Sequence, residues 1–176
     1  MTTLPFDVLK ESILALLTEA HAGPPDPHVS WFIDNEPDSG VLGAVRNLSA
    51  AEASRSMDGS GRSGTTIASN IEHLRWCLSN ANGALRGQPY QYAWEESWKV
   101  ITVEEAAWDK LRQDLETEYT SLLQAVSAQT ELPGVYLTGV LALIPHTAFH
   151  LGLIRQMVEQ VREKSNLFEG THDQGI

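Results

Sequence analysis

The sequence PHTAFHLGLIRQ, residues 145–156, places two histidines four positions apart inside an apolar run. An α-helix has about 3.6 residues per turn, so His146 and His150 lie on one helix face, within roughly 40° of each other. The apolar positions around them keep a heptad-like spacing: Ile144, Thr147, Leu151, Ile154, Val158 and Val161. This pattern predicts a long amphipathic helix that carries two imidazoles at the margin of its buried stripe.

A proline stands directly before the first of these histidines. Inside a helix, proline removes a backbone hydrogen bond and clashes with the preceding turn, whereas in the first turn it is well tolerated. Pro145 is therefore compatible with a kink or with a helix start, and the sequence leaves both alternatives open.

Three other segments show the same helical periodicity. They run from Pro5 to about Gly23, from about Thr66 to Leu85, and from Val103 to about Gln129. The fourth helix follows the break at residues 130–134 and continues to Lys164. Because no segment shows convincing strand alternation, we expect an all-α fold.

The connection between the first two long helices is much longer than the others. Residues 24–64 contain a proline cluster and a weak helical pattern, in which Ser49 and Glu52 predict a capping box. Thr102 and Glu105 predict a second capping box before the third long helix. The expected architecture is a four-helix bundle with a long crossover between helices 1 and 2, over residues 1–165. Residues 166–176 are expected to form a flexible C-terminal tail.

Composition limits the class of partner. The 176 residues carry a formal net charge of -11, which disfavours nucleic acids and anionic membranes as partners. The single cysteine excludes an internal disulfide framework, and the N-terminal residues lack the pattern of a secretory signal. No apolar run in the sequence is expected to span a bilayer. We therefore expect a soluble cytoplasmic protein that acts on a small molecule.

A third histidine extends the pair into a candidate metal site. His73 lies in the second predicted long helix, and each of the three histidines stands one position before a residue of its helix's buried stripe. If the two helices are neighbours, His73, His146 and His150 converge at the edge of the core. Three imidazole nitrogens can hold a divalent ion while leaving a coordination position for water or substrate.

The alternative for these histidines is structural, because an imidazole beside an apolar stripe is commonly a half-buried side chain with a hydrogen bond. The zinc-protease pattern His-Glu-x-x-His is absent, since Thr147 follows His146. The helix therefore has no built-in glutamate base, which argues against ordinary peptide hydrolysis.

Several other residues have both a functional and a structural interpretation. Cys77 could face the metal or fill the core, and Asn70 could orient a ligand or make a structural hydrogen bond. Arg155 could bind a substrate carboxylate or form an ion pair, while Trp94 and Trp98 could line a pocket or simply pack. The remaining histidines, which lie in or beside predicted loops, belong to no constellation: His21, His28 and His172.

Together, four stretches resemble the DinB/YfiT-like superfamily. They are IASNIEHLR at 67–75, WEESW at 94–98, WDKL at 108–111 and HTAFHLGLIRQ at 146–156. The resemblance spans roughly residues 5–164. It implies a four-helix bundle that commonly dimerises, in which one histidine of the second helix and a His-x-x-x-His pair of the fourth bind a divalent metal. By resemblance, His73, His146 and His150 take these places.

The resemblance also implies a chemistry. The metal in the family is often zinc or nickel, and characterised relatives include S-transferases and a maleylpyruvate isomerase that use bacillithiol or mycothiol. One hypothesis is therefore an enzyme that activates a water or a low-molecular-weight thiol at a three-histidine site. The other is a non-catalytic module, in which a metal-binding or dimerising bundle serves structure or sensing.

Overall fold

The computed structural model describes residues 5–169, and the side chains of residues 5–163. Over this range the chain forms α-helices, one short 3-10 helix and no strand. The helices are α1 (Phe6–Ala22), α2 (Val41–Val45), α3 (Ala50–Ala53), α4 (Ile67–Leu85), α5 (Glu105–Ser127) and α6 (Gly134–Glu169), with the 3-10 helix Trp94–Trp98 between α4 and α5. The predicted all-α class is confirmed.

The four long helices share one core. α4 packs against α5 and α6, and α1 packs against the same two helices. Their buried stripes supply the largest fully buried apolar side chains: Ile13, Leu17, Ile67, Ile71, Leu74, Leu78, Trp108, Leu115, Leu122, Leu151 and Ile154. Trp108 buries its indole completely and donates its Nε1–H to the carbonyl of Leu48 at 2.7 Å, which ties α5 to the crossover.

One of the two predicted capping boxes forms. Ser49 and Glu52 exchange the expected hydrogen bonds at the start of α3. The prediction for Thr102 and Glu105 is wrong, because α5 begins after Glu104 and has no side-chain cap. The Glu105 carboxylate instead accepts the backbone N–H of Ala50 at 2.9 Å, so it satisfies a free donor at the first turn of α3.

Pro145 lies inside α6, which begins at Gly134. The alternative of a helix start at this proline is therefore wrong. At its other end α6 continues to Glu169, so residues 166–169 of the expected flexible tail are helical. Residues 170–176 of that tail lie outside the described residues.

α6 also corrects the expectation that no apolar run is long enough to span a bilayer. Its segment Gly134–Glu163 meets the requirement for a membrane span by length and composition alone. Leucine, isoleucine, valine and alanine give this segment its apolar character. A helix that forms part of a protein core passes the same test.

His21 lies beside a loop, one residue before the end of α1, but its ring occupies the core, and the sequence did not predict this burial. Its Nδ1–H donates to the carbonyl of Leu17 at 2.9 Å, and its ring stacks on Tyr119 with the centroids 4.8 Å apart. Burial lowers the pKa of His21 to about 4, because the imidazolium form would lose its hydration.

This buried histidine predicts a pH dependence of stability. The unfolded chain takes up a proton near pH 6.5 and the folded chain only near pH 4, so the stability falls as the pH decreases through this window. His21→Gln removes this contribution, and we expect the free energies of unfolding of the two proteins to diverge by up to about 1.4 kcal/mol per pH unit. Urea unfolding at several pH values between 7 and 4 measures the difference. Parallel curves for the two proteins would contradict the prediction.

Candidate metal centre

The structure brings the three predicted histidines together. α4 carries His73, and the adjacent α6 carries His146 and His150 one turn apart. One ring nitrogen from each of these residues lies within 4.8 Å of the others. The ring centroids are between 4.7 and 5.0 Å apart. Side chains separated by more than seventy positions in the sequence therefore form one cluster.

The donor set fits a divalent transition metal. The Nε2 atoms of His73 and His146 are 3.0 Å apart. Two nitrogens bound at about 2.0–2.1 Å to one tetrahedral zinc ion lie about 3.3 Å from each other, so this pair is close to the required spacing. Imidazole nitrogen is a preferred ligand of zinc, nickel and copper, and the cluster can therefore hold such an ion.

Ser97 orients His73. The Ser97 hydroxyl donates its proton to the carbonyl of Trp94 at 2.6 Å, so its oxygen is left to accept the Nδ1–H of His73 at 2.8 Å. With the proton on Nδ1, Nε2 of His73 presents a lone pair to the cluster. A hydrogen bond from the outer ring nitrogen is the usual support for a metal-binding histidine.

Asn70 plays the same part for His150. Its amide nitrogen donates to the carbonyls of Gly64 and Thr66, at 3.1 and 2.8 Å, and these bonds fix the orientation of the amide. The amide oxygen then faces Nδ1 of His150 at 2.8 Å and accepts its proton. Asn70 thus fulfils both interpretations made from the sequence, because it is a structural amide that also orients a histidine.

The environment keeps the imidazoles neutral. His73 is 5% and His150 4% exposed, and His146 is half-buried. Burial, with the neighbouring histidines, lowers the pKa of His73 to about 3 and that of His150 to about 4. Burial also lowers the pKa of His146. At neutral pH all three rings are therefore uncharged, and each has one ring nitrogen with a free lone pair that can bind metal.

The Ser97 hydrogen bond leads to a testable prediction. Ser97→Ala removes the acceptor for His73 Nδ1–H, so the ring loses both its fixed tautomer and its fixed orientation. We expect the affinity for Zn2+ to fall by about 10- to 100-fold, as measured by competition with a chromogenic chelator.

Ser79→Ala is the matched control, since Ser79 is a half-buried serine of the same helix as His73. We expect this control variant to bind Zn2+ as the unmodified protein does. An unchanged affinity in Ser97→Ala would show that the hydroxyl does not support the ligand.

The segment that contains Ser97 also covers the site. Trp98 stacks on His73 with the ring centroids 3.9 Å apart and the planes inclined by 12°. Trp94 lies 5.2 Å from Trp76, centroid to centroid, and remains 43% exposed. The two tryptophans therefore have different roles, because Trp98 packs on a candidate ligand while Trp94 faces the space next to it.

The other candidates lie near the cluster or away from it. Cys77 Sγ is 3.8 Å from Nε2 of His73, but burial raises the pKa of this thiol to about 12. Among the described residues, the group whose ligand atoms converge contains the three histidines and not Cys77. Arg155 forms an ion pair with Asp34 at 2.8 Å, as its structural interpretation predicts. His28 is exposed in the crossover, and His172 lies outside the described residues.

A cleft leads from the surface to the cluster. It has a volume of about 830 Å3, and the residues that line it include His146 and Cys77 but not His73 or His150. The cluster is thus accessible on the side of His146, while His73 and His150 are held from behind by Ser97 and Asn70. A site with three protein ligands and an accessible fourth position is typical of catalytic rather than structural zinc.

Comparison with known proteins adds no assignment. No protein-family model, no curated protein and no solved structure matches this chain. The function must therefore be argued from the site itself.

Proposed function

We propose that His73, His146 and His150 bind one divalent metal ion, zinc or nickel, and that the protein is a metal-dependent enzyme. The reaction is of the hydrolase or thiol S-transferase type, with a water or a low-molecular-weight thiol as the nucleophile and a small organic molecule as the electrophile. The observation that carries this proposal is the convergence of three neutral imidazoles, one of which, His146, lines a cleft.

The residues of the chain have distinct parts in this proposal. A divalent ion supplies Lewis acidity, which lowers the pKa of a water or thiol into the neutral range. Ser97 and Asn70 hold two rings in the tautomer that directs Nε2 inward. Trp98 shields one face of His73 from water, and the cleft beside His146 receives the substrate.

A second candidate function is a non-catalytic metal-binding module. One observation favours it: among the described residues, neither a carboxylate nor an amine makes a hydrogen bond to the three histidines, whose polar contacts include Ser97, Asn70, Cys77 and each other. A hydrolase commonly places a general acid or base within hydrogen-bond reach of the reacting atoms. A transferase that uses a thiol depends less on such a group, because a thiol ionises more readily than water.

The proposal includes the family and the architecture. We propose that the four long helices form a four-helix bundle of the DinB/YfiT-like type, with residues 23–66 as the crossover, and that the protein is a homodimer. The pairwise packing of α1, α4, α5 and α6 supports the bundle. Light scattering on a size-exclusion column tests the dimer.

Elemental analysis of protein purified without a histidine tag tests the metal. We expect about one equivalent of zinc or nickel per chain, removable by a chelator. Screens for hydrolysis and for thiol transfer should then give activity that disappears on chelation and returns when the metal is restored. Metal binding without activity in either screen would favour the non-catalytic module.

A further inference from the structure

The cleft beside His146 is lined by apolar and aromatic groups. Its wall is formed by the C-terminal half of α4, the N-terminal half of α6 and the loop at residues 90–94. Tyr90, Tyr92 and Trp94 of this loop and Tyr136 of α6 supply the aromatic part, and alanine, valine and leucine side chains of the two helices supply most of the rest. The volume of about 830 Å3 lies within the range of small-molecule sites in proteins.

None of the side chains that line this cleft, among the described residues, is a lysine, arginine, aspartate or glutamate. A charged ligand would lose its hydration there without gaining an opposite charge. The net charge of -11 further disfavours anions near the protein. The polar groups of its side chains are the tyrosine and threonine hydroxyls, the indole N–H of Trp94, and His146 and Cys77.

Hydrogen bonds and ring contacts hold the loop that carries the aromatic residues. Asn80 of α4 holds the loop through two hydrogen bonds, because its amide donates to the carbonyl of Gln91 and its oxygen accepts the N–H of Gln91, both at 2.8 Å. Tyr90 and Tyr92 pack with their ring centroids 5.1 Å apart. These hydrogen bonds fix the loop backbone at Gln91 before a ligand arrives, which reduces the entropic cost of ordering the loop on binding.

We propose that this cleft binds an uncharged, largely apolar small molecule, with its one polar group directed toward His146. The direction of that group rests on the proposed metal function, whereas the apolar character of the ligand rests on the cleft alone. The molecule is the electrophile of the proposed reaction, and the cleft selects it by apolar contact and by the absence of charge.

A matched pair of fluorescent probes tests the ligand class. N-phenyl-1-naphthylamine is neutral, and 8-anilino-1-naphthalenesulfonate has the same ring system with one negative charge. We expect the neutral probe to bind at one site per chain, at least about tenfold more tightly than the anionic probe. Equal affinities, or tighter binding of the anionic probe, would overturn the proposal.

Two glycines of α6 provide matched variants. Gly139 lines the cleft and Gly152 does not, and a Cβ atom added at either position meets no atom within 4 Å. Gly139→Trp should fill the cleft and weaken the neutral probe by about tenfold or more, whereas Gly152→Trp should leave it unchanged. Equal effects of the two variants would show that the probe binds elsewhere and would overturn the proposal.

The cleft could instead be covered by a second copy of the chain. Val135, which lines the cleft, is 75% exposed, and an exposed apolar side chain of this kind can be buried in a dimer interface. Suppose that the unmodified protein is a dimer, that Val135→Asp dissociates it, and that the neutral probe does not bind. The cleft would then be a dimer interface, and the small-molecule proposal would be overturned. The small-molecule site is supported if the neutral probe binds and the protein is either a monomer or a dimer that Val135→Asp does not dissociate.

A separate experiment on Zn2+-loaded protein tests whether the polar group of the ligand points toward His146. Imidazole and 4-phenylimidazole share a metal-binding head, and the phenyl group should increase the affinity by about tenfold if the cleft continues from the metal. No gain would overturn the proposed direction. If the protein binds no metal but still selects the neutral probe, the proposed function fails and the cleft assignment stands.

Discussion

His146→Ala and His150→Ala should each reduce the bound metal from about one equivalent per chain to less than about a tenth. Each variant leaves two imidazoles within reach of the ion, and two neutral ligands do not retain a divalent metal through purification. The substitutions replace side chains of α6 at the cluster and not in the apolar core, so we expect the helical content to remain. Elemental analysis and circular dichroism measure the two quantities.

His28→Ala is the control for this experiment, because His28 is exposed in the crossover and far along the chain from the cluster. Its metal content should equal that of the unmodified protein. Unchanged metal content in both His146→Ala and His150→Ala would rule out this site. Loss of helicity together with metal would instead assign the cluster a structural part, as the non-catalytic module requires.

The convergence of the histidines was predictable because helical spacing is a local property of the sequence. The interval between His146 and His150 fixes a common helix face, and the position of His73 relative to its apolar stripe gives the same offset. Two adjacent amphipathic helices must turn their apolar stripes toward the same core. Residues with equal offsets on them therefore approach each other.

The support of the site was not predictable from the same pattern. Ser97 lies in a short 3-10 helix within an aromatic segment that has no helical or strand period. Its contact with His73 depends on how the chain returns after α4, which no local spacing records. Asn70 was recognised as a candidate because it lies one turn before His73, although its actual partner is His150 on the other helix.

The errors have a similar origin. The predicted capping box at Thr102 was wrong because Glu105 is recruited by Ala50, more than fifty positions earlier in the chain. The burial of His21 was not predicted, because the residue lies in the last turn of α1 just before the proline cluster, and its ring is stacked on Tyr119 of α5. In both cases a tertiary contact decided a feature that local sequence left undetermined.

Glu19→Ala should be the most destabilising substitution outside the apolar core, at about 3 kcal/mol. The Glu19 side chain is 1% exposed and accepts the backbone N–H groups of Trp31, Phe32 and Ile33 at 2.9–3.0 Å. It also accepts the hydroxyl of Ser30 at 2.7 Å. One carboxylate thus fixes the crossover to α1, and its loss leaves several donors without a partner.

The charge of Glu19 matters as well as its shape. Burial acts to raise the pKa of this carboxyl, but the hydrogen bonds from Phe32, Ile33, Ser30 and Trp31 outweigh it and hold the pKa below its usual value. The stabilisation is therefore present above about pH 4.5 and is lost as the pH falls through the lowered pKa. Glu19→Gln keeps the size of the side chain but replaces one acceptor by a donor. We expect the free energy of unfolding of Glu19→Gln to lie between those of Glu19→Ala and the unmodified protein.

Urea unfolding at pH 7 measures these differences, with Glu11→Ala as the control. Glu11 lies in the same helix but is exposed, so its removal should change the free energy of unfolding by less than about 0.5 kcal/mol. Amide hydrogen exchange at Trp31, Phe32 and Ile33 should accelerate in Glu19→Ala, since these protons lose their acceptor. Equal stability of Glu19→Ala and Glu11→Ala would mean that water replaces the carboxylate without cost. The crossover would then depend on other contacts, among them the ion pair between Arg155 and Asp34.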